Sequence, residues 1–279
     1  MKIKCWGSRG SIPVSGREYL KYGGDTTCLE IQSRNGVTII VDAGSGIRRL
    51  GKYLIDQPPQ TFHILFTHAH WDHIIGLPFF KPLHCLERKI NLYHCPFHQR
   101  FVDRMFSDLM TPPYFPIQCS SSKANIVFLE PDPFAFDIDS IHIEPIPLSH
   151  PNGGSGYKFT EDGNSFVFLT DNELGYIHPG GKSFDEYRTF CEGVDLLIHD
   201  AEYTPLEYES YIRWGHSGYT DTLQLALEAN VSQVGFFHTN QERTDTEVDD
   251  IVADARKLIV TQNRSTKCMA VAADMEFEL

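Results

Sequence analysis

The sequence predicts an α/β chain, α+β in the ordering of its elements, with two sheets packed face to face and helices outside. Two observations point to it. Each half of the 279 residues runs through closely spaced strands into helix-containing segments, and two turn signatures, Asn35-Gly36 and Asp162-Gly163-Asn164, join strands of hairpin length. No internal repeat, low-complexity tract or linker interrupts the chain, so residues 1–279 are read as a single domain.

Strand composition marks Ile3–Gly7, Cys28–Ser33, Val37–Asp42 and Thr61–Thr67, with the hairpin turn at Arg34-Asn35-Gly36. Ile47–Asp56 reads as the first helix, and Ile74-Ile75-Gly76-Leu77-Pro78 as a short helical turn. Strands continue at Ile90–Tyr93, Ile126–Glu130 and Ile141–Leu148, with a helical stretch over Gln99–Met110 and a Pro-rich break at Thr111–Pro116. In the second half, strands Gly156–Thr160 and Ser165–Thr170 flank the turn at 161–164. Helices Ser183–Cys191, Thr220–Ala229 and Thr246–Leu258 then alternate with strands Val194–Asp200, Gln233–His238 and Lys267–Ala272.

Composition narrows the function. Hydrophobic residues at 41% and charged residues at 22% describe an ordinary globular chain. A net charge of −13 argues against broad electrostatic capture of nucleic acid or of an anionic membrane, while leaving a small, locally held anion open. The first residues read as a strand rather than a signal peptide, and no apolar run reaches membrane-spanning length. Seven scattered cysteines without Cys-x-x-Cys spacing suit reduced thiols, so a cytoplasmic location is expected. A homodimer is left open.

The densest chemistry lies in Thr67-His68-Ala69-His70-Trp71-Asp72-His73, directly after the apolar run 62–66. His68 and His70 are two apart, so in an extended segment both project from one face and can share an ion. Asp72 and His73 follow after a change of direction, which suggests a second ion beside the first. A polar surface loop is the alternative for this cluster alone. A binuclear site needs further donors at strand ends, and His150, Asp171 and His238 each follow an apolar strand.

This ordered set, His68-Ala69-His70-Trp71-Asp72-His73, His150, Asp171 and His238, resembles the metal-binding signature of the metallo-β-lactamase fold superfamily. The resemblance implies a four-layered αββα sandwich with two divalent metal ions at one edge. His68, His70 and His150 would hold one ion, and Asp72, His73 and His238 the other. Asp171 and a hydroxide would bridge them. Zinc is the default for His-rich, thiolate-free coordination, with manganese or iron as alternatives.

Members of the superfamily hydrolyse lactams, thioesters, lactones and phosphodiesters, so a second region must choose among them. Leu196-Leu197-Ile198-His199-Asp200-Ala201-Glu202-Tyr203-Thr204 resembles the His-Glu-Ala-Thr segment of ribonuclease Z, and Trp214-Gly215-His216-Ser217-Gly218 resembles its downstream histidine. By that resemblance His216 faces the scissile phosphate as general acid, and Asp200, one methylene shorter than the family's glutamate, orients it. Cys5-Trp6-Gly7-Ser8-Arg9-Gly10-Ser11-Ile12-Pro13 is similar to the Gly-rich first turn of the ribonuclease Z and cyclic phosphodiesterase branch, where Arg9 could meet a phosphate, although a plain hairpin turn is the preferred reading of these residues. The segments 22–28 and 41–46 also look like those of small members of this branch, and Asp42 is assigned to ordering the turn behind the cluster. The basic arm by which ribonuclease Z grips tRNA has no counterpart. The insertion near residues 95–120 is aromatic and Pro-rich instead, suited to a lid over the site.

The expected protein is therefore a metal-dependent hydrolase: a phosphodiesterase acting on a small phosphodiester such as a cyclic nucleotide, by metal-hydroxide attack. Asp72, Asp200 and His216 are its candidate catalytic residues. A carbonyl hydrolase (thioesterase, lactonase or β-lactamase-like) and a tRNA 3′-processing endoribonuclease are the alternatives.

Overall fold

The computed structural model describes residues 1–58, 60–97 and 102–279. Its first half supplies β1 (Lys2–Gly7), β2 (Cys28–Gln32), β3 (Thr38–Val41), helix α1 (Ile47–Leu54), β4 (Thr61–Leu65), the one-turn helix α2 (Trp71–Ile74), β5 (Lys89–Tyr93), α3 (Val102–Leu109) and β6 (Asn125–Leu129). The second half supplies β7 (Phe136–Ile138), β8 (Ile141–Pro147), β9 (Ser155–Glu161), β10 (Asn164–Leu169), α4 (Phe184–Phe190), β11 (Leu196–Asp200), α5 (Pro205–Tyr211), α6 (Tyr219–Glu228), β12 (Gln233–Phe237), α7 (Asp245–Thr261), β13 (Lys267–Ala270) and β14 (Glu276–Glu278).

The strands form two sheets, in the orders β14-β1-β2-β3-β4-β5-β6 and β13-β12-β11-β10-β9-β8-β7. Each half starts antiparallel and turns parallel, at β3–β4 in one and at β10–β11 in the other. Parallel strands need crossovers, and α1 supplies one in the first sheet, α4 and α6 two in the second. The last strand, β14, returns to the first sheet and pairs with β1.

Side-chain alternation explains the layers. Ile39 and Val41 face the second sheet, where they join Phe166, Phe168, Leu196 and Ile198 in the central core. Their neighbour Ile40 turns outward to Ile47, Leu50 and Leu54 of α1. Likewise Val167, Leu169 and Leu197 turn outward to Leu223 and Ala226 of α6 and Val248 and Val252 of α7. Strands covered on both faces must be apolar at every position, which is why they read as continuous runs. The result is the four-layered αββα sandwich.

Several local expectations shift. The helical turn expected at 74–78 begins earlier, as α2, with a separate 3₁₀ turn at Leu77–Phe79, so Asp72 and His73 lie on the helix itself. Of the helix expected over 99–110, residues 99–101 lie outside the described residues. β7, α5 and β14 were not expected. No helix among the described residues is long and apolar enough to cross a membrane.

Candidate metal centre

The site forms where the C-terminal ends of strands from both sheets meet, the usual position for ligands in open α/β sheets. β4 runs into His68 and His70, β8 into His150, β10 into Asp171, β11 ends on Asp200, and β12 runs into His238. Three residues just past strand ends, Asp42, Asp171 and His238, have φ of 63°, 52° and 54°. A left-handed backbone is costly for residues with a Cβ, and three such residues together at one sheet edge are typical of a functional site.

Donor atoms of His68, His70, His150 and Asp171 lie within 4.8 Å of one another, and so do those of Asp72, His73, Asp171 and His238. Asp171 belongs to both groups. Its Oδ1 is 3.2 Å from His73 Nε2, and its Oδ2 is 3.4, 3.5 and 3.9 Å from Nε2 of His238, His68 and His150. Asp72 Oδ2 lies 2.9 Å from His238 Nε2 and 3.3 Å from His73 Nε2.

The outward nitrogens show how the rings are oriented, while inside the cluster His150 Nε2 meets His70 Nδ1 at 3.1 Å and His238 Nε2 meets Asp72 Oδ2 at 2.9 Å. His73 Nδ1 donates to Asp42 Oδ2 (2.8 Å), His150 Nδ1 to the Gly215 carbonyl (2.9 Å) and His238 Nδ1 to Glu202 Oε2 (3.0 Å). His68 Nδ1 faces Thr67 Oγ1 at 3.1 Å. Each such bond fixes the tautomer and aims an Nε2 lone pair inward, as metal-binding histidines require. Among the described residues, the buried Nε2 atoms of His68 and His73 make no well-formed hydrogen bond; each instead faces a carboxylate oxygen of Asp171, at 3.5 and 3.2 Å, an arrangement that a cation held between them would satisfy. The nitrogen and carboxylate donor set, arranged as two groups sharing one carboxylate, is thus compatible with a dinuclear metal site.

Asp42 also accepts from Thr67 N at 2.7 Å and Thr67 Oγ1 at 2.6 Å, so it orders the chain just ahead of the cluster. Burial opposes ionisation of Asp72 and Asp171, yet the facing histidines hold both carboxyls well below the usual range. Burial also opposes charge on His73 and His238, but the surrounding carboxylates hold both well above the usual imidazole value. On the other side burial dominates, and His150 falls to about 3. The carboxylate-rich side therefore demands positive charge, from protons or from cations.

His216 stacks on His238 with ring centroids 4.7 Å apart. Its Nδ1 lies 3.0 Å from Asp200 Oδ2, so the shorter aspartate arm still reaches. Glu202 Oε2 is 3.4 Å from the same nitrogen while accepting from His238. Sequence reasoning missed Glu202. The signal was its position two residues after Asp200, which in extended chain places both carboxylates on one face.

Of the two readings of the Gly-rich first turn, the structural one fits the loop better than the phosphate one. Arg9 is buried and donates to the carbonyls of Gly23, Asn240 and Arg243, so its guanidinium ties loops together. The loop's contribution to the site is Ser11 N, which donates to Asp72 Oδ2 at 2.9 Å. Tyr114 and Phe115 of the aromatic insertion line a cavity of about 940 Å³ with Ala69, Trp71, Phe79 and Met105. Ala69 and Trp71 bracket His70, so the cavity adjoins the cluster along the chain.

The αββα layers and the His/Asp cluster at the strand ends define the metallo-β-lactamase fold. Residues 37–239 match the family model described as beta-lactamase superfamily domain, and the chain belongs to that family. It is 20% identical to a ribonuclease Z of Bacillus cereus, over 98% of this chain and all of that protein. Among solved structures it resembles the metallo-beta-lactamase fold protein YhfI of Bacillus subtilis (TM-score 0.73, 18% identity, covering 100% of this chain and 99% of that one). It also resembles a diphosphatase of the PhnP family (TM-score 0.69, 17% identity, covering 100% and 97%).

Proposed function

We propose that the protein is a metal-dependent hydrolase of a small phosphodiester, a cyclic nucleotide being the leading candidate, working as a single cytoplasmic domain. His68, His70 and His150 would hold one divalent cation, Asp72, His73 and His238 the other, with Asp171 shared. Zinc is the first choice, and manganese or iron suits the same donors. Bound there, the cations supply Lewis acidity and a water acidified to near neutrality.

The observation that carries the reading is the His216–Asp200 pair beside the cluster. With Nδ1 held by Asp200, the free Nε2–H is the proton donor. As hydroxide adds to phosphorus, the scissile P–O bond breaks, its electron pair stays on the leaving oxygen, and His216 supplies the one proton that turns that oxygen into the alcohol. A phosphodiester that leaves as an alkoxide needs that acid. Asp72, whose Oδ2 accepts from Ser11 N, is proposed as the third catalytic residue. The adjoining cavity, walled by Trp71, Phe79, Tyr114 and Phe115, suits a planar group such as a nucleobase.

The ribonuclease Z relatives support a second reading, cleavage of precursor tRNA. The net charge of −13 weighs against it, because phosphate contacts dominate affinity for a large RNA. One panel separates the readings: cyclic mononucleotides, cyclic dinucleotides, a chromogenic phosphodiester, a thioester, a β-lactam and precursor tRNA, each with defined added metal. The expected result is preferential cleavage of a small phosphodiester. Faster turnover of precursor tRNA, or of the thioester or lactam, overturns it.

A further inference from the structure

Glu173 lies two residues beyond Asp171, is buried, and accepts four hydrogen bonds on its two carboxylate oxygens. Tyr208 Oη (2.8 Å) and the Arg213 amide (2.7 Å) donate to Oε1. His178 Nε2 and the Gly215 amide, both at 2.8 Å, donate to Oε2. The carboxylate thus grips the backbone on either side of Trp214, immediately before His216.

That stretch carries a conformational cost at Arg213, which the Glu173 contacts offset. Arg213 and Gly215 both have left-handed backbones, with φ of 75° and 93°. A Cβ on Gly215 would sit 2.1 Å from His150 Nδ1, so the turn presses directly against that imidazole. Amides converging from a left-handed turn form an anion-binding concavity, and Glu173 is the anion that fills it. The same turn sends the Gly215 carbonyl to His150 Nδ1. Glu173 further donates its own amide to the carbonyl of Ser149 (2.8 Å), the residue before His150. One residue therefore links the segments carrying Asp171, His150 and His216.

We propose that Glu173 is a positioning residue that sets the placement of His216 against the leaving group and of His150 against the metal centre. The proposal rests on the phosphodiesterase reading for its His216 part and on the metal site for its His150 part. It concerns geometry: the carboxylate of Glu173 bonds to His178, Tyr208 and the turn amides, and to none of the cluster's donor residues.

Glu173→Gln tests it. The amide keeps the shape but turns one acceptor into a donor facing two donors. Two diesters are compared, one leaving as an alkoxide and one as nitrophenolate, which needs no acid. A misplaced acid lowers kcat about tenfold or more further on the alkoxide substrate than on the nitrophenyl one, with KM little changed, because small displacements of a reacting group are costly. Equilibrium dialysis with zinc alone reads the other arm, where loss of the group orienting a ligand weakens binding about 10- to 100-fold. Tyr208→Phe removes a single donor and leaves the carboxylate, so it decides the matter if Glu173→Gln does not fold. It should show the same selective pattern at smaller amplitude. Equal losses on both diesters with unchanged zinc binding would reduce Glu173 to a structural role, and full activity in both variants would remove any role. If the wild-type protein cleaves neither diester, the phosphodiesterase reading fails and the zinc arm alone decides the placement of His150.

Discussion

At the residue scale, His216 is governed by two carboxylates with different attachments. Burial disfavours its charge, but Glu202 and Asp200 outweigh that and hold its pKa near 9 against an ordinary 6.5 in the metal-free protein. The folded value lies above the unfolded one. The imidazolium therefore contributes stability that is complete below about pH 6.5 and is lost as pH rises through about 9. Glu202→Gln removes the strongest raising influence, so the titration midpoint of His216, followed by the ring NMR signals of metal-free protein, should move down. An unmoved midpoint would show that Asp200 and Asp171 hold the charge without Glu202. In the loaded protein, His216→Ala should lower kcat on an alkoxide-leaving diester by roughly 10²–10⁴, the usual worth of one proton transfer, with little change in KM. A retained kcat would remove His216 from the mechanism.

At the element scale, the site depends on how loops pass behind strand ends. Gly10 shows the tolerance: a Cβ there would lie 2.4 Å from His238 Nδ1, the atom that donates to Glu202. Gly10→Ala should push the imidazole off its partner and weaken zinc binding about tenfold in equilibrium dialysis, and unchanged affinity would mean that the loop yields. The long apolar strands and α7 were legible because burial imposes a period that the sequence must obey. The short elements were not. α5 carries a capping box, Thr204 with Glu207, but buries no side chain, so it has no apolar period to read. β14 has a single buried residue, Phe277, and its partner β1 lies at the other end of the chain. The donors of the cluster could be read because several ligand-type residues sit close together or follow apolar strands. Glu173 and Glu202 act on histidines distant in sequence, through loops whose course only the fold decides. The part Arg9 plays was hidden for the same reason: a guanidinium in a Gly-rich turn suits a phosphate or a plain turn, and nothing local shows that three carbonyls surround it.

At the scale of the whole molecule, the site is where the two halves join. His68, His70, Asp72 and His73 come from the first sheet's half, and His150, Asp171 and His238 from the second's. The central core holds the sheets together mainly through apolar contact, with Tyr157 Oη donating across it to the Phe66 carbonyl, whereas at this edge the buried carboxylates Asp42, Asp72, Asp171, Asp200 and Glu202 crowd together. Histidine protons offset that charge only in part, and they are given up as pH rises. Cations that bind this joint and not the unfolded chain must therefore stabilise the fold by mass action, about 2.7 kcal/mol at a hundredfold excess over Kd. For a chain of this size that corresponds to roughly 5–10 °C in Tm. The expected outcome in thermal melts is a Tm that climbs with added zinc or manganese and falls back with chelator. Asp171→Ala should flatten the climb, because its carboxylate belongs to both donor groups. A wild-type Tm indifferent to both metals and to chelator would mean that the two halves meet around an ordinary polar network, and would remove the basis for a metal-dependent activity.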